Sequence, residues 1–554
     1  MKKNIVILIL SFGFVSKLHS QSPSIPYDND YYNKIHNLEV ESGSFTNYFH
    51  SGVNPITRSD LSLFLRDSVF SSKLGNNKRV KYLLSDNVLF DENTKLKPRN
   101  RTFYKFENSL YHFKDSLYTL SINPILNIGI GEDFQNRKKT SYNTRGLEVY
   151  GSIYGKISFY SYLTDNIVLP LNFVNDYVKK NGVYPTASLT KGLGNGAYNF
   201  LQARGYISIN PIKPIVLQFG HDRNFIGDGY RSFIMSDFGK EFLFGKLNFH
   251  AHKINYMFLG GQMINNSRRS ERDFTFDKKY IAFHQLSINA TKRLNFSFFE
   301  TVVFSRTDTN GNNSGFDFSY ANPVIFYRSV EHGLNSSDNA MLGLTYKFIP
   351  AKSVLVYGQL VLDEFKLDEL IARNGWYANK YAIQTGIKWI KPFKIESLWL
   401  QGEYNLVRPY TFMHFKKSQS FVHYNSPIGH PLGANFKEVI LTANYYLGQK
   451  ISINMTLIKY LKGLDKDTMN WGGDIVNKVY TTAVSLYGNK IGQGMATNVT
   501  VFDLVISYSV YHNLYIELNY INRNSYSQLL TENTRTNAFL IGIRYNIARP
   551  RMLF

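Results

Sequence analysis

From about residue 116 to the C-terminus, strand-like segments are joined by connections that alternate between very short and very long. Within the segments, apolar and polar residues alternate with a period of two, as in a strand with one apolar face. The short connections lie at 153–155, 210–213, 251–253, 291–293, 350–352, 391–393, 448–450 and 511–513. The long ones lie near 131–143, 168–197, 221–239, 265–278, 305–338, 364–379, 408–434, 462–496 and 524–534. Together these connections separate about eighteen strands.

This asymmetry predicts a transmembrane β-barrel. Outer-membrane barrels have an even number of antiparallel strands, with short turns at one end and long loops at the other. The polar faces carry charged residues such as Glu403, Glu517 and Arg544, which would be costly in a dry core but are ordinary in a polar lumen. Closure also removes the unpaired strand edges that lipid forbids. We therefore expect an all-β transmembrane outer-membrane β-barrel of about 18 antiparallel strands over residues 106–554.

The last strand-like segment, residues 537–554, is where such a barrel would close. Apolar and aromatic residues recur at every second position from Phe539 to Ile547, and the chain ends on Phe554. An alternating last strand with a terminal aromatic residue is typical of outer-membrane barrels. We therefore predict that this strand pairs with the first one and that Phe554 lies at the membrane interface of the short-turn end.

Composition excludes several other classes. The chain has no cysteine, so disulfides, thiolate metal sites, cysteine nucleophiles and a lipid-anchored cysteine are excluded. The interior of the chain has no run of 18 or more apolar residues, so the sequence does not predict a membrane-spanning helix. Aromatic residues make up 16% of the chain, as expected for strands and interfacial girdles. A net charge of +22 points to anionic partners, either lipid headgroups or an acidic polymer.

The N-terminal fifth of the chain differs from the rest. Lys2 and Lys3 followed by an apolar stretch predict a signal peptide over residues 1–20. Residues 21–105 lack strand alternation and predict a small helical module, in which Thr57 begins one helix. Export places the chain in the outer membrane, with the long loops extracellular and the module periplasmic, and it argues against nucleic acid as a partner.

Two loops carry the candidate binding residues. The first, residues 220–232, supplies Arg223, Tyr230 and Arg231. It is interpreted either as a ligand-contacting loop, with guanidinium groups for anions and aromatic faces for sugars, or as a folded-in loop held by internal Arg–Asp pairs. The second, residues 408–435, supplies Arg408, Tyr410, His423 and Tyr424. Its three histidines, His414, His423 and His430, match no metal-ligand spacing, so we expect stacking and hydrogen bonding there instead.

Neither a catalytic motif nor a cofactor motif is present in the sequence, so we expect a non-enzymatic protein without a cofactor. Three kinds of function remain open. The barrel could bind surface polysaccharide, act as a porin or transporter, or serve as a structural subunit of a larger secretion or motility complex. The expected partners are outer-membrane lipid, lipopolysaccharide and surface polysaccharide, with other envelope proteins as a further class.

Three stretches carry a family resemblance. The segments GHDRNFIGDGYRSFIMSD (220–237), NPVIFYRSVEHGLNSSDN (322–339) and EYNLVRPYTFMHF…HYNSPIGHPLGANFKE (403–438) resemble the Wzi-type capsule assembly family. The resemblance is to its Bacteroidota branch, which includes the gliding-motility protein RemB, and it spans most of the mature chain. It implies an eighteen-stranded outer-membrane barrel with a small periplasmic helical bundle. It also implies a lectin-like role in holding polysaccharide at the surface, in adhesion or in gliding. No individual binding residue is carried over from the family.

Overall fold

The structure, a computed structural model, describes residues 22–67, 78–91, 103–104, 106, 108–187, 189–269, 276–306, 315–322, 326–336, 338–448, 450–466, 468–527 and 533–554. The proposed signal peptide, residues 92–102 of the predicted N-terminal module, and residues 323–325 and 337 of the second family-like stretch lie outside the described residues. No helix among the described residues is long and apolar enough to cross a membrane.

The closed barrel has 18 antiparallel strands, which confirms the predicted fold class. The strands are β1 Tyr118–Asp133, β2 Lys138–Ile153, β3 Ile157–Leu169, β4 Tyr198–Ile212, β5 Ile215–Asp222, β6 Phe242–Ala251, β7 Ile254–Arg269, β8 Phe276–Thr291, β9 Leu294–Phe304, β10 Asn339–Ala351, β11 Val354–Glu364, β12 Lys380–Ile390, β13 Leu398–Val407, β14 Phe436–Leu447, β15 Ile451–Leu464, β16 Met495–Tyr511, β17 Leu514–Ser527 and β18 Thr534–Tyr545. Residues Ala538–Tyr545 of β18 pair with Leu126–Asp133 of β1 and close the barrel.

The two faces of the barrel wall differ as the alternation predicts. On β1, Ile130 points outward and is 65% exposed, whereas Asn127 points inward and is 7% exposed. Outward-facing apolar side chains recur around the barrel, including Leu163, Ile207, Phe219, Leu441 and Ile543. The charged residues of the polar faces point inward, where Arg544 pairs with Glu517 at 2.9 Å.

All eight predicted short turns join strands at one end of the barrel, and the long loops lie at the other end. Three predicted long loops are shorter than predicted. The strands on either side of the predicted loops 265–278 and 524–534 reach Arg269 and Phe276, and Ser527 and Thr534. The largest error is between β1 and β2, where only residues 134–137 are not strand. Pairing continues to Asp133↔Lys138. The residues near this turn, such as Glu132 and Lys139, are exposed and polar, which hid the strand periodicity in the sequence.

The N-terminal segment forms helices at the short-turn end. They are α1 Asn29–Ser42, α2 Arg58–Arg66 and α3 Lys78–Asp86. The α2 helix begins where predicted, because the Thr57 side chain accepts a hydrogen bond from the Asp60 amide. The module contacts the β8–β9 turn, where the Phe45 amide donates to the Lys292 carbonyl at 2.8 Å.

A buried acid fixes α3 to the β16–β17 turn. His512 Nε2 lies 2.9 Å from Asp86 Oδ1, and Arg58 Nη1 lies 3.1 Å from Asp86 Oδ2. Burial alone would raise the pKa of Asp86, but the hydrogen bond from His512 and the positive charge of Arg58 hold it below its usual range. The carboxylate is therefore charged at neutral pH and ties the module to the barrel wall.

The C-terminal segment corrects the prediction made for Phe554. Strand β18 ends at Tyr545, and residues 546–554 turn back into the lumen. Phe554 packs against Phe173, Tyr177 and Phe238, with ring centroids 5.8, 5.3 and 5.7 Å apart. These partners belong to the long connections after β3 and β5, so the terminal aromatic residue lies inside the barrel and not at the membrane interface. We call residues 546–554 the C-terminal tail.

Candidate functional site

The loop between β5 and β6, residues 223–241, folds into the lumen and meets the N-terminal segment. Phe225–Ile226 forms a two-residue strand that pairs with Val53–Asn54. The Gly227 amide donates to the Gly52 carbonyl at 2.9 Å. Gly227 has φ +143°, and a Cβ there would lie 2.4 Å from Gln359 Nε2 on the barrel wall. Because side-chain-bearing residues rarely adopt this φ, glycine is favoured at this position.

Two buried glutamates of the wall hold the next part of this loop. Glu403 of β13 accepts hydrogen bonds from the Tyr230 and Arg231 amides at 2.6 and 3.1 Å. The Tyr357 hydroxyl also donates to Glu403, at 2.8 Å. Glu438 of β14 lies 3.5 Å from the Arg231 guanidinium. Charged groups at this depth persist only because they are paired and hydrogen-bonded.

The loop between β13 and β14, residues 408–435, fills the lumen from the long-loop end. Tyr410 is 0% exposed, and its hydroxyl donates to the Asn470 carbonyl at 2.9 Å. The ring of His423 accepts from the Ile264 amide at 3.0 Å and donates to the Glu241 carbonyl at 3.0 Å. Burial lowers the pKa of His423 to about 3, so the ring is neutral at pH 7. His430 Nε2 lies 2.7 Å from Glu438.

The two lumen loops form one apolar core with the wall. Ile226, Phe233 and Met235 of the first loop and Phe412, Phe421 and Leu432 of the second belong to a single buried cluster with inward-facing wall residues. Between the loops, the Ser236 amide donates to the Ile428 carbonyl at 3.2 Å. Such contacts fill the long-loop end of the lumen with buried apolar side chains.

The C-terminal tail adds a third layer with two arginines. Arg549 contacts Glu517 at 2.7 Å and Asp30 of the module at 3.3 Å. The Nε of Arg551 donates to Asp237 of the first lumen loop at 2.8 Å, and its Nη1 donates to the Tyr230 carbonyl at 3.2 Å. The tail therefore connects the module, the wall and the first lumen loop by ion pairs.

The structure brings the predicted site residues into the lumen filling and leaves few of them accessible. Tyr230, Arg231, Tyr410 and His423 are buried. Arg223, Arg408 and Tyr424 are partly buried; Arg223 pairs with Glu241 at 3.2 Å, and Arg408 donates to the Trp376 carbonyl at 3.3 Å. The folded-in interpretation of the first loop therefore fits the geometry, although its arginines pair with glutamates.

Sequence reasoning missed the residues that anchor the lumen filling. Glu403 and Glu438 were visible only as inward-facing charges at alternating positions, and nothing in the sequence paired them with Arg231, which lies more than 170 residues from each. Arg549 and Arg551 were missed because the tail was assigned to the last strand. The sequence offered one signal for these anchors: carboxylates predicted to point into the lumen, together with a loop that contains arginines.

A cavity of about 1450 Å³ remains between the tail, the module and one side of the wall. It extends from the short turns at Gly448 and His512 to Arg204 and Arg223. A separate hollow of about 470 Å³ lies at the long-loop end and is lined by polar residues such as Asn522, Asn524 and Arg535.

No protein-family model and no curated protein sequence matches the chain. Among solved structures it is similar to Wzi, described as an outer membrane protein involved in group 1 capsule assembly in Escherichia coli and as a carbohydrate binding β-barrel. That match has 13% identity and a TM-score of 0.54 and covers 95% of this chain and 100% of that one. Similarities to Pseudomonas aeruginosa OccK8 (OprE) and OprD have TM-scores of 0.40 at 10% identity. They cover 78% and 77% of this chain and 98% and 94% of those chains, respectively. At 13% identity the property shared with Wzi is the fold, and the chain has the closed 18-stranded architecture of an outer-membrane β-barrel.

Proposed function

We propose that the protein is a non-conducting, non-enzymatic outer-membrane barrel that binds surface polysaccharide. The observation that supports this most strongly is the filled lumen, where the module, two loops and the tail occupy the space through which a porin would conduct. The fold similarity to a barrel described as carbohydrate binding supports the same function. A barrel with a filled lumen can hold a ligand at the membrane surface, whereas transport needs a continuous path for solute through the lumen.

The proposal includes export by the segment 1–20, with the long loops extracellular and the module periplasmic. The apolar outer wall then faces lipid, and the exposed loop surface faces lipopolysaccharide and polysaccharide. Attachment of capsule, adhesion and gliding are three settings in which such a platform would act, and other envelope proteins are a further class of partner.

The exposed rim of the long loops is the surface that we assign to polysaccharide. Lys366 and Arg373 are exposed in the loop after β11, and Lys366 Nζ lies 5.7 Å from the Trp376 ring centroid. This loop is fixed to the loop after β15, because the Tyr377 amide donates to the Leu486 carbonyl at 2.8 Å. Lys416 is exposed on the neighbouring lumen loop. Cations beside aromatic rings suit acidic sugars, through ionic contacts with carboxylates and stacking on the C–H face.

Replacing Lys366, Arg373 and Lys416 together with alanine is expected to reduce polysaccharide binding without affecting assembly. Each exposed contact contributes about 0–1 kcal/mol, so the combined loss should be about tenfold or more and should shrink as salt rises. The measurement is the amount of surface polysaccharide retained on intact cells, together with binding of the extracted polymer to purified protein across a salt series.

The matched control replaces three cations of the short-turn end, Lys253, Lys292 and Lys352, with alanine. This control keeps the net charge of the rim variant but leaves the rim intact. Equal retention by the parent, the rim variant and the control would overturn the assignment. Loss in the control alone would place the binding surface at the opposite end of the barrel and would also contradict the proposal.

A further inference from the structure

One long connection of the barrel, between β9 and β10, folds down over the outside of the wall. We call its described residues, 315–322 and 326–336, the outer-wall segment. On β9, Phe299 and Val303 point inward and belong to the lumen core, whereas Phe298 points outward and is 58% exposed. The β9 residues that the segment covers alternate in step with Phe298, because they occupy even-numbered positions. The segment therefore lies on the membrane-facing side of the barrel.

An apolar cluster fixes the segment to the outer wall. Tyr280 of β8 and Phe304 of β9 are buried beneath it, and their ring centroids lie 6.0 and 5.3 Å from that of Phe316. Gly260 of β7 lies beside the same ring, and a Cβ there would come within 3.3 Å of it. The cluster also contains Ala282, Val302, Tyr320 and Tyr327. Small wall residues thus leave room for the rings of the segment.

A hydrogen-bond network holds the upper part of the segment at the ends of the strands. Arg306, two residues after β9, donates to Asp338, the residue before β10, at 2.7 and 2.8 Å. It also donates to Asp317 at 3.1 Å. The Tyr320 hydroxyl donates to the same Asp338 carboxylate at 2.7 Å. Since Asp317 and Tyr320 belong to the segment, these bonds keep it against the wall.

The lowest part of the segment covers a polar pair on the outer face. His284 of β8 and Glu300 of β9 are cross-strand neighbours, and their side chains lie 3.3 Å apart. The Tyr327 ring stacks on His284 with centroids 4.4 Å apart, and the Tyr327 amide donates to Glu300 at 2.7 Å. Glu300 lies four positions before the end of β9, about 13 Å along the strand. A carboxyl group facing lipid would be costly, so the segment shields it.

The opposite side of the segment is exposed and graded in polarity. Phe326, next to the lowest point, is 75% exposed, and Phe318 is 82% exposed. His332 and Asn335, where the chain returns toward the start of β10, are exposed polar residues. Leu342 of β10, at the depth of the polar pair, is 50% exposed, so the apolar band of the wall reaches the level of the segment. Aromatic rings that continue such a band, with polar groups above them, suit a membrane interface.

We infer that the outer-wall segment is a membrane-docking surface, with Phe318 and Phe326 inserted among the lipids of the leaflet at the long-loop end. Lys278 of β8 is exposed on the same outer face, two positions above Tyr280, where it can contact lipid phosphate groups. Lipid is favoured over a second protein because the exposed rings continue the apolar band of the wall. The inference goes beyond the polysaccharide role, since it concerns the outside of the barrel and does not depend on what the rim binds.

The test labels single positions of the full-length chain in vesicles of phosphatidylethanolamine and phosphatidylglycerol. Because the chain has no cysteine, Phe318→Cys and Phe326→Cys each create a unique thiol for a fluorescent label, at side chains that are exposed. Phe298→Cys is the lipid-facing reference, and Lys416→Cys on the rim is the water-facing one. Lipid-borne nitroxide should quench the labels at 318 and 326 about threefold more than the label at 416, because interfacial apolar groups lie about 5–10 Å into the headgroup and acyl boundary.

Iodide in the aqueous phase gives the complementary result. It should quench the label at 416 most strongly and the labels at 298, 318 and 326 weakly. If iodide quenches the labels at 318 and 326 as it quenches the label at 416, the segment faces water and the inference is overturned. If neither quencher reaches them while both references behave as expected, a protein covers the segment, and the inference is overturned in favour of a protein contact.

A second measurement avoids a bulky label. Phe326→Trp adds one indole to the four tryptophans of the chain, and brominated lipid should quench the added emission. In the matched control, Lys416→Trp, the added emission should persist. Equal persistence in both variants would overturn the inference. Retention of surface polysaccharide by the rim variant is measured separately, so a failure of lipid docking leaves the rim assignment standing, and a failure of the rim assignment leaves the docking surface standing.

Discussion

Replacing Arg231 with alanine is expected to destabilise the folded barrel by about 3–5 kcal/mol, because it leaves a buried carboxylate without its cation. The side chain of Glu438 is 0% exposed, that of Arg231 is 3% exposed, and the two lie 3.5 Å apart. The guanidinium also donates to the Leu553 carbonyl of the tail and lies 5.2 Å from the Tyr230 ring. Each of these contacts is lost in the variant.

The measurement is the temperature at which the purified barrel loses its compact, heat-modifiable migration. The control is Lys437→Ala, which removes an exposed cation from the adjacent position of the same strand as Glu438 and should have little effect. A midpoint for Arg231→Ala within the scatter of the control would mean that the ion pair does not hold the lumen loop.

Deleting residues 549–554 is expected to leave the barrel closed but to loosen its lumen. Closure needs only the pairing of β18 with β1, which ends at Tyr545. The deletion removes two partly buried arginines and leaves Asp30 and Asp237 without these ion-pair partners, while Glu517 keeps Arg544. Unpaired carboxylates draw water into the interior, so we expect ion conductance in planar bilayers to rise well above that of the parent.

The matched control deletes only residues 552–554. It removes the Phe554 contacts but keeps both arginines, so its conductance should stay close to the parent's. A six-residue deletion that is as silent and as heat-stable as the parent would contradict the role assigned to the tail. A deletion that fails to assemble would contradict it as well, because it would show that the closing strand depends on the tail.

The barrel could be predicted from sequence because its wall obeys a local rule. Because side chains alternate between the two faces of a strand, the position of Ile130 or Asn127 along β1 tells which side of the barrel wall it lies on. Each short turn tells where a strand ends. The rule failed at residues 131–143, where both faces carry polar residues and the strands continue past the apolar band.

The lumen filling could not be predicted in the same way. Loops lack the alternation from which the direction of a side chain can be inferred. Arg231 and Tyr410 were therefore equally suitable, on sequence, as ligand-binding residues and as residues packed inside the barrel. Phe554 was assigned to the membrane interface because the alternating pattern continues to Ile547, two residues past the end of β18. The partners that decide these positions, Glu403, Glu438 and Asp237, are distant in the chain and come together only in the fold.

Single-channel recording of the full-length protein in a planar lipid bilayer tests the central claim, the sealed lumen, most directly. The N-terminal module, the two lumen loops and the tail contact one another and the wall inside the barrel, and the account takes this filling as a seal. The account predicts a nearly silent membrane across the range of voltages at which an open barrel conducts. Stable, stepwise conductance of the size seen for an open porin would contradict it.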